Sequence, residues 1–356
     1  MLRTIRRVSP PQLLLDLLRA HGPSGREQEA ARVWRDAATA FAEVSTDGLG
    51  SSVARVGSDQ PPLAIVGHID EIGLVVTHVD DDGRAFFRPL GGWDGEVALG
   101  QRVELLTRGG GRVPAVVAGR QREPVARGEE PKRTTMDDLY LELGARGRDE
   151  TLGLVQPGDT GVLAGEPLEL RNGRLASRAL DNRVGCYVAL EVARRLAEAG
   201  GPPPVAAIAA VGEEAGDYSG SRTTLYALRP AGAVVVDVAP ATDVPGGDHR
   251  RRGEIALGKG PAVGRGLPLN QRLADLLFET AEAEGIAVVP EIYTGTTSTD
   301  VDAVHLSRAG IPTGLVSIPQ RNTHTPVELV DLGDVEACVR LLVAFARRFA
   351  VDTLAE

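Results

Sequence analysis

The strongest constraint on the fold is the contrast between two kinds of strand in one chain. Residues 205–211 form an unbroken apolar run, and 233–238 form a second that carries one acid, Asp237, near its end. Strands that are apolar on both sides are covered on both faces, as in the parallel sheets of α/β proteins. From about 74 to 163 the pattern changes to short, alternating runs at 73–78, 84–89, 101–107 and 113–117. Turns such as Asp81-Asp82-Gly83 and Gly109-Gly110-Gly111 separate them, a rhythm that suits a small barrel or sandwich. The expected fold is α/β. A mostly parallel sheet sandwiched by helices is built from residues 1–72 and 165–356, with a small β-barrel-like domain inserted at 73–164.

The remaining elements fit this frame. Helices are expected at 10–20 and 27–41, joined by the turn His21-Gly22-Pro23-Ser24-Gly25. A short buried strand at 63–66 lies between Pro61-Pro62 and Gly67-His68. Further helices are expected at 183–199, 219–228, 268–284 and 332–349, and further strands at 288–293 and 313–318. A length of 356 residues accommodates two domains of roughly 150 residues each.

Charge and composition exclude some classes of function. A net charge of −10 disfavours nucleic acid and anionic membrane surfaces as principal partners. No apolar stretch approaches the roughly 20 residues of a membrane span. Arg3, Arg6 and Arg7 precede a leucine-rich run at 13–18, but Asp16 interrupts it and no small-residue cleavage site follows. This reads as an amphipathic helix rather than a leader, so a cytoplasmic location is expected. The two cysteines, Cys186 and Cys338, sit in apolar helical patterns and read as buried free thiols in a reducing compartment.

Chemistry concentrates where the apolar elements end. Five stretches carry it: Val66-Gly67-His68-Ile69-Asp70-Glu71, Leu180-Asp181-Asn182-Arg183, Val211-Gly212-Glu213-Glu214, Val235-Val236-Asp237 and Asn322-Thr323-His324-Thr325-Pro326. Four of them have a plain alternative: a surface turn at His68 and Asp70, a helix cap at Asp181, a satisfied structural acid at Asp237, a solvated loop at His324. Taken together they supply two imidazoles and several carboxylates, the donors of a two-metal hydrolase with one Glu left over as base. Asp70 is placed to hold the second ring nitrogen of His68. Asp181 has two oxygens, one for each of two ions. Of the adjacent Glu213 and Glu214, one can bind metal while the other faces a water. Adjacent acids do not suit a glycosidase, which needs two carboxyls facing each other across a sugar, roughly 5–9 Å apart. His21, His78, His249 and His305 lack such context and are set aside.

These stretches together resemble the co-catalytic metallo-aminopeptidases that build tetrahedral shells. That family includes deblocking, leucyl and glutamyl aminopeptidases, some formerly labelled endoglucanases. The resemblance runs over nearly the whole chain and extends to Gly91-Gly92-Trp93, Leu257-Gly258-Lys259-Gly260-Pro261 and Leu306-Ser307-Arg308-Ala309-Gly310-Ile311-Pro312. It implies one divalent ion on His68, Asp181 and Asp237 and a second on Asp181, Glu214 and His324, with Asp181 bridging. Glu213 would be the general base, and Asp70 would orient His68. Zinc is the expected metal, with cobalt or manganese also suited to these ligands. The resemblance further implies peptide substrates with a free α-amine and an inserted domain that mediates assembly, usually of twelve subunits. The chain departs from the family pattern at 215–221, in the basic loop 248–252 and in the charged loop 120–133. The alternatives are a related metal-dependent carboxypeptidase or N-deacylase, a glycosidase, and a non-catalytic assembly protein.

Overall fold

The computed structural model describes residues 9–120 and 133–349. Most of the charged loop 120–133 therefore lies outside the described residues.

In chain order, α1 (Gln12–Arg19) and α2 (Gln28–Ala38) precede β1 (Glu43–Thr46), β2 (Ser52–Val56) and β3 (Leu63–His68). Then come β4 (Gly73–Val79), β5 (Ala85–Leu90), α3 (Gly95–Ala98), β6 (Arg102–Leu106), β7 (Arg112–Gly119), β8 (Leu139–Glu142), α4 (Arg148–Leu154) and β9 (Thr160–Leu163). After β10 (Leu168–Glu169) and β11 (Arg174–Ser177), α5 (Leu180–Glu198), β12 (Val205–Ala210), α6 (Ser219–Leu228) and β13 (Gly232–Pro240) follow. The chain continues through α7 (His249–Arg252), β14 (Ala262–Leu267), α8 (Gln271–Ala283), β15 (Val289–Thr294) and α9 (Val301–Val304). It closes with β16 (Thr313–Gln320), β17 (Glu328–Asp331) and α10 (Leu332–Arg348).

The main sheet has eight strands in the order β1-β2-β12-β3-β13-β16-β14-β15. Its centre, β12-β3-β13-β16, is parallel. All residues of β3, β12 and β16 are buried; the continuous apolar sequence of β12 requires this, while β16 also buries Thr313, Ser317 and Gln320. The sheet is more mixed than its apolar runs suggest, because β2 pairs antiparallel with β12 and β14 antiparallel with β16. The β1–β2 hairpin was not legible as strands, since β1 is short, polar and mostly exposed. Its turn is held by Asp47, whose Oδ1 accepts from the amides of Leu49, Gly50 and Ser51.

One face of the sheet packs Leu14, Trp34, Val188, Leu277 and Phe345 from α1, α2, α5, α8 and α10. The other packs Leu225, Val301 and Val304 from α6 and α9. Between β3 and β10 in sequence, six strands close into a barrel, β4-β5-β8-β7-β6-β9, around Leu74, Val76, Phe87, Val103, Leu105, Val117 and Leu141. No helix among the described residues is long and apolar enough to cross a membrane.

Two contacts lock the layers beneath the C-terminal edge of the sheet. In the first, β3 and α5 meet at glycine: a Cβ on Gly67 would lie 2.6 Å from the amide nitrogen of Cys186. The second is a buried ion-pair group. Glu71 accepts from Arg183 Nη2 at 2.7 Å and from the Gly22 amide at 3.0 Å, and it pairs closely with Arg178. Arg183 also donates to the carbonyls of Leu17 and Ile69, so α1, the end of β3 and α5 are tied together. Burial alone would raise the Glu71 carboxyl, but Arg178 and Arg183 hold it below the usual carboxylate range.

Removing one member of such a group strands the others in the interior. Glu71→Gln is expected to cost about 3–5 kcal/mol, read from equilibrium denaturant unfolding. A loss below about 1 kcal/mol would show that the two guanidinium groups find other partners. Gly67→Ala drives a methyl into the α5 backbone and is expected to cost about 3 kcal/mol or more. At Gly48 a Cβ meets nothing within 4 Å, and Gly48→Ala serves as the control in the same melting series.

Candidate metal centre

Parallel pairing sets strand ends side by side, which is where ligands bind in α/β sheets. Ala210 of β12 pairs with His68 of β3, and Val235 of β13 pairs with Val66. Asp237 therefore stands level with His68, and Glu213 and Glu214 leave the sheet just beyond it. Asp237 does not end its strand as expected from sequence: β13 runs on to Pro240, because β16 keeps pairing with it as far as Gln320. Asp181 and Asn182 open α5 with non-helical dihedrals, and the peptide between them is cis. Asn182 anchors this entry by donating to the Val236 carbonyl at 2.7 Å and accepting from the Gly185 amide at 3.0 Å. His324 lies in the loop between β16 and β17 at φ 60°.

All seven residues singled out from sequence converge here. His68 Nε2 lies 3.1 Å from Asp181 Oδ1 and 3.7 Å from Glu213 Oε2. His324 Nε2 lies 3.6 Å from Asp181 Oδ2 and 3.4 Å from Glu214 Oε2. The two oxygens of Asp181 thus face different imidazoles. Donor atoms of His68, Asp181 and Asp237 lie within 4.8 Å of one another, as do those of Asp181, Glu214 and His324. His68, Glu213 and Glu214 form a third such group. Asp70 Oδ1 is 3.4 Å from His68 Nδ1.

Electrostatically the cluster is under-compensated. Burial, reinforced by Asp237, Asp300 and Glu214, pushes the Glu213 carboxyl up to about 10 despite His68. Burial and the charge of Asp181 raise Asp237 well above the carboxylate range. Glu214 is raised by burial too, against its hydrogen bond with His324. Burial disfavours the charged form of His324, yet Glu214 and Asp181 bring it up to about 9. Among the described residues no Lys or Arg pairs with Asp181, Glu213, Glu214 or Asp237, and Glu214 Oε1 is buried without a hydrogen-bond partner. Buried carboxylates crowded in this way need cations. The imidazole and carboxylate donor set fits divalent ions such as zinc, cobalt or manganese.

A surrounding layer holds these donors in place. Asp70 is fully buried; its Oδ2 accepts from Ser24 Oγ at 2.7 Å and the Glu214 amide at 3.0 Å, and its Oδ1 from the Glu213 amide at 3.2 Å. Burial would raise it, but its bonds to His68, Ser24 and the Glu214 amide hold it below the usual carboxylate range. Glu328 was missed from sequence. It is buried and accepts from the amides of Asp181 at 3.0 Å and His324 at 3.1 Å, so it fixes the backbone of both. It lies two residues beyond Pro326, and its position in β17 gave no separate signal. Tyr218 was also missed; it lines the cavity with a left-handed backbone, φ 52°, in the divergent segment 215–221.

The other histidines stay away from the cluster. His249 Nδ1 meets Thr242 Oγ1 at 3.1 Å, His305 Nδ1 meets the Val301 carbonyl at 2.7 Å, and the His78 ring lies 6.2 Å from that of Phe86. His249 caps no open loop but belongs to the short helix α7. His21, set aside as a turn residue, is buried with Nε2 2.5 Å from Glu104 Oε2, so it joins the N-terminal helices to the barrel.

The cluster opens into a cavity of about 940 Å³. Its barrel side is the loop after β5, where a Cβ on Gly92 would lie 2.8 Å from His324 Nδ1 and one on Gly91 3.0 Å from Glu214 Oε2. Its lining also includes Arg251, Arg252, Glu291, Tyr293 and the loop after β15.

Known proteins share this arrangement of chain. A family model described as M42 glutamyl aminopeptidase matches residues 50–341. The lysyl aminopeptidase of Pyrococcus furiosus is 30% identical over 343 residues, covering 94% of this chain and 95% of that one. The TET aminopeptidase from the marine sediment archaeon Thaumarchaeota archaeon SCGC AB-539-E09 superposes with a TM-score of 0.90 at 31% identity, covering 96% of this chain and 98% of the other. The TET1 peptidase of Pyrococcus horikoshii, described as able to assemble into a tetrahedron or a large octahedral shell, gives a TM-score of 0.82 at 26% identity over 94% and 98% of the two chains. The chain belongs to the M42 peptidase family.

Proposed function

We propose that this chain is a binuclear metal-dependent aminopeptidase that releases N-terminal residues from peptides. The observation that carries the reading is the stance of Asp181, with Oδ1 toward His68 and Oδ2 toward His324. His68, Asp181 and Asp237 would hold one divalent ion, and Asp181, Glu214 and His324 the other. When bound, such a pair supplies Lewis acidity that acidifies a water and polarises the scissile carbonyl. Glu213, next to Glu214 but facing His68, takes the proton of the attacking water and returns it to the leaving amine. Asp70 orients His68 and, through the two glutamate amides, sets where the carboxylates of Glu213 and Glu214 point. Peptides with a free α-ammonium suit a pocket whose floor is rich in carboxylates.

The same reading gives residues 73–164 two roles: assembly and access. Support for access comes from Gly91 and Gly92, which place the barrel against Glu214 and His324. Support for assembly into a homo-oligomer comes from the relative described as forming a tetrahedron or a large octahedral shell, and for a dodecamer from a similar solved structure described as one.

The deciding assay uses free and N-acetylated aminoacyl-p-nitroanilides with metal-loaded protein. Only the free-amine substrates are expected to be cleaved; equal cleavage of the acetylated ones would point to an N-deacylase instead. Chelation should abolish activity, and zinc, cobalt or manganese should restore it. Activity that survives exhaustive chelation would sink the metal mechanism. Glu213→Gln should lower kcat by about 10²–10⁴-fold while metal content is retained, as for loss of a general base. Asp181→Ala should lose both ions together, counted by elemental analysis; retention of one would refute the bridging role.

A further inference from the structure

The basic loop at 248–252, which nothing above accounts for, faces the same cavity as the metal centre. Arg251 and Arg252 line that cavity together with Glu291, and these three are its charged groups outside the cluster of metal donors. Among the described residues neither guanidinium makes an ion pair or a side-chain hydrogen bond. Both line the cavity, and the charge of Arg252 is felt by Glu291.

Their position is built rather than incidental. Asp248 caps α7, its Oδ1 accepting from the Arg251 amide at 3.2 Å. Thr242 Oγ1 binds the Gly253 carbonyl at 3.0 Å and the Ile255 amide at 3.1 Å, clamping both ends of the loop. A Cβ on Gly247 would lie 2.1 Å from the Thr242 carbonyl oxygen, so only glycine lets the loop fold back this tightly. Asp243, held by Arg321 at 2.6 and 2.9 Å, accepts from the Leu257 amide at 3.2 Å and fixes the exit.

The balance of charge at this end is positive. Glu291 is buried, and its Oε2 accepts from Ser317 Oγ at 2.8 Å. Burial raises its carboxyl, against its hydrogen bonds with Ser317 and Tyr293 and the nearby charge of Arg252, so one buried acid stands against two arginines. Thr296 and Ser298 also line the cavity, while the Thr297 hydroxyl is held by Asp302 at 2.9 Å. Two guanidinium groups backed by hydroxyls recognise a carboxylate, and arginine does so with paired donors. The family description names glutamyl specificity and the Pyrococcus furiosus relative is lysyl, so relatedness leaves the sign of the preferred charge open.

We propose that Arg251 and Arg252 form a carboxylate-binding subsite in this cavity that selects the peptide. It rests on the aminopeptidase reading and adds the substrate's anionic anchor to it. The carboxylate has two sources: an N-terminal aspartate or glutamate side chain, or the free C-terminus of a short peptide.

The test uses full-length, metal-loaded protein and reads ratios of kcat/KM within one preparation, so that loss of active protein cancels. Glu-p-nitroanilide against Leu-p-nitroanilide probes the side-chain source. Leu-Gly-Gly against its C-terminal amide probes the terminus. One of the two ratios is expected to exceed about tenfold in favour of the carboxylate, a scale ordinary for a single recognition contact. Arg251→Gln with Arg252→Gln should bring that ratio close to one, mainly through KM, and Arg251→Glu with Arg252→Glu should invert it. Two ratios near one, or a preference that survives both double variants, overturns the subsite while leaving the aminopeptidase reading intact. A preference for Lys-p-nitroanilide that Glu291→Gln abolishes overturns it too and transfers selection to Glu291. Cleavage of none of the free-amine substrates overturns the aminopeptidase reading itself, and the subsite with it.

Discussion

Four carboxylates and two imidazoles share one largely buried space at the C-terminal edge of the sheet, and most of the surrounding structure serves to hold them there. Bringing Asp181, Glu213, Glu214 and Asp237 together removes them from water and sets like charges against one another. His68 and His324 offset only part of this. The surroundings impose the arrangement by fixing backbone. Asp70 accepts from the amides of Glu213 and Glu214, and Glu328 accepts from those of Asp181 and His324. Both holding residues are themselves buried acids, so the hydrogen bonds that fix these backbone positions are shielded from competing water.

Below the cluster lies a second, oppositely arranged group. Glu71 brings Arg178 and Arg183 into the interior, and their remaining donors go to carbonyls of Leu17, Arg19, Ala20 and Ile69. One residue separates Asp70 in the anionic layer from Glu71's partners in the cationic one. The segment 68–71 thus carries the site and its foundation at once, with the glycine contact between Gly67 and α5 as the hinge of the packing. The proposed metal-binding and catalytic groups stand at sheet ends and at the start of a buried helix, where position is tightly constrained. Arg251, Arg252 and the loop after β15 belong to connecting segments, which can vary without disturbing the core.

Much of this was legible in advance because the physical signals were local. The continuous apolar run of β12 and the run of β13 broken only by Asp237 report burial on both faces, and the short alternating runs of β4 to β7 report a different sheet. His68, Asp70, Asp181, Glu213, Glu214, Asp237 and His324 stood out because charge at the end of an apolar element is costly without a reason. What was missed lacked such a contrast. β1 and β2 are short and follow no long apolar run, so the antiparallel edge they form was invisible. Glu328 sits in a strand whose burial depends on β11 pairing beside it, a contact more than a hundred residues away in sequence. His21 looked like a turn residue because its partner, Glu104, comes from the barrel.

The sequence by itself determined which segments must be buried, that two sheet types coexist, and which residues carry donor groups at the ends of elements. These follow from hydrophobic pattern and residue chemistry, both of which are local. Only the tertiary structure decided that Asp181 turns one oxygen toward each histidine, that Asp70 and Glu328 clamp the backbones of Glu213, Glu214, Asp181 and His324, and that Arg251 and Arg252 face the same cavity. Those facts depend on strand order, register and loop closure. These are set by the packing of residues far apart in the chain, and no window of sequence contains them.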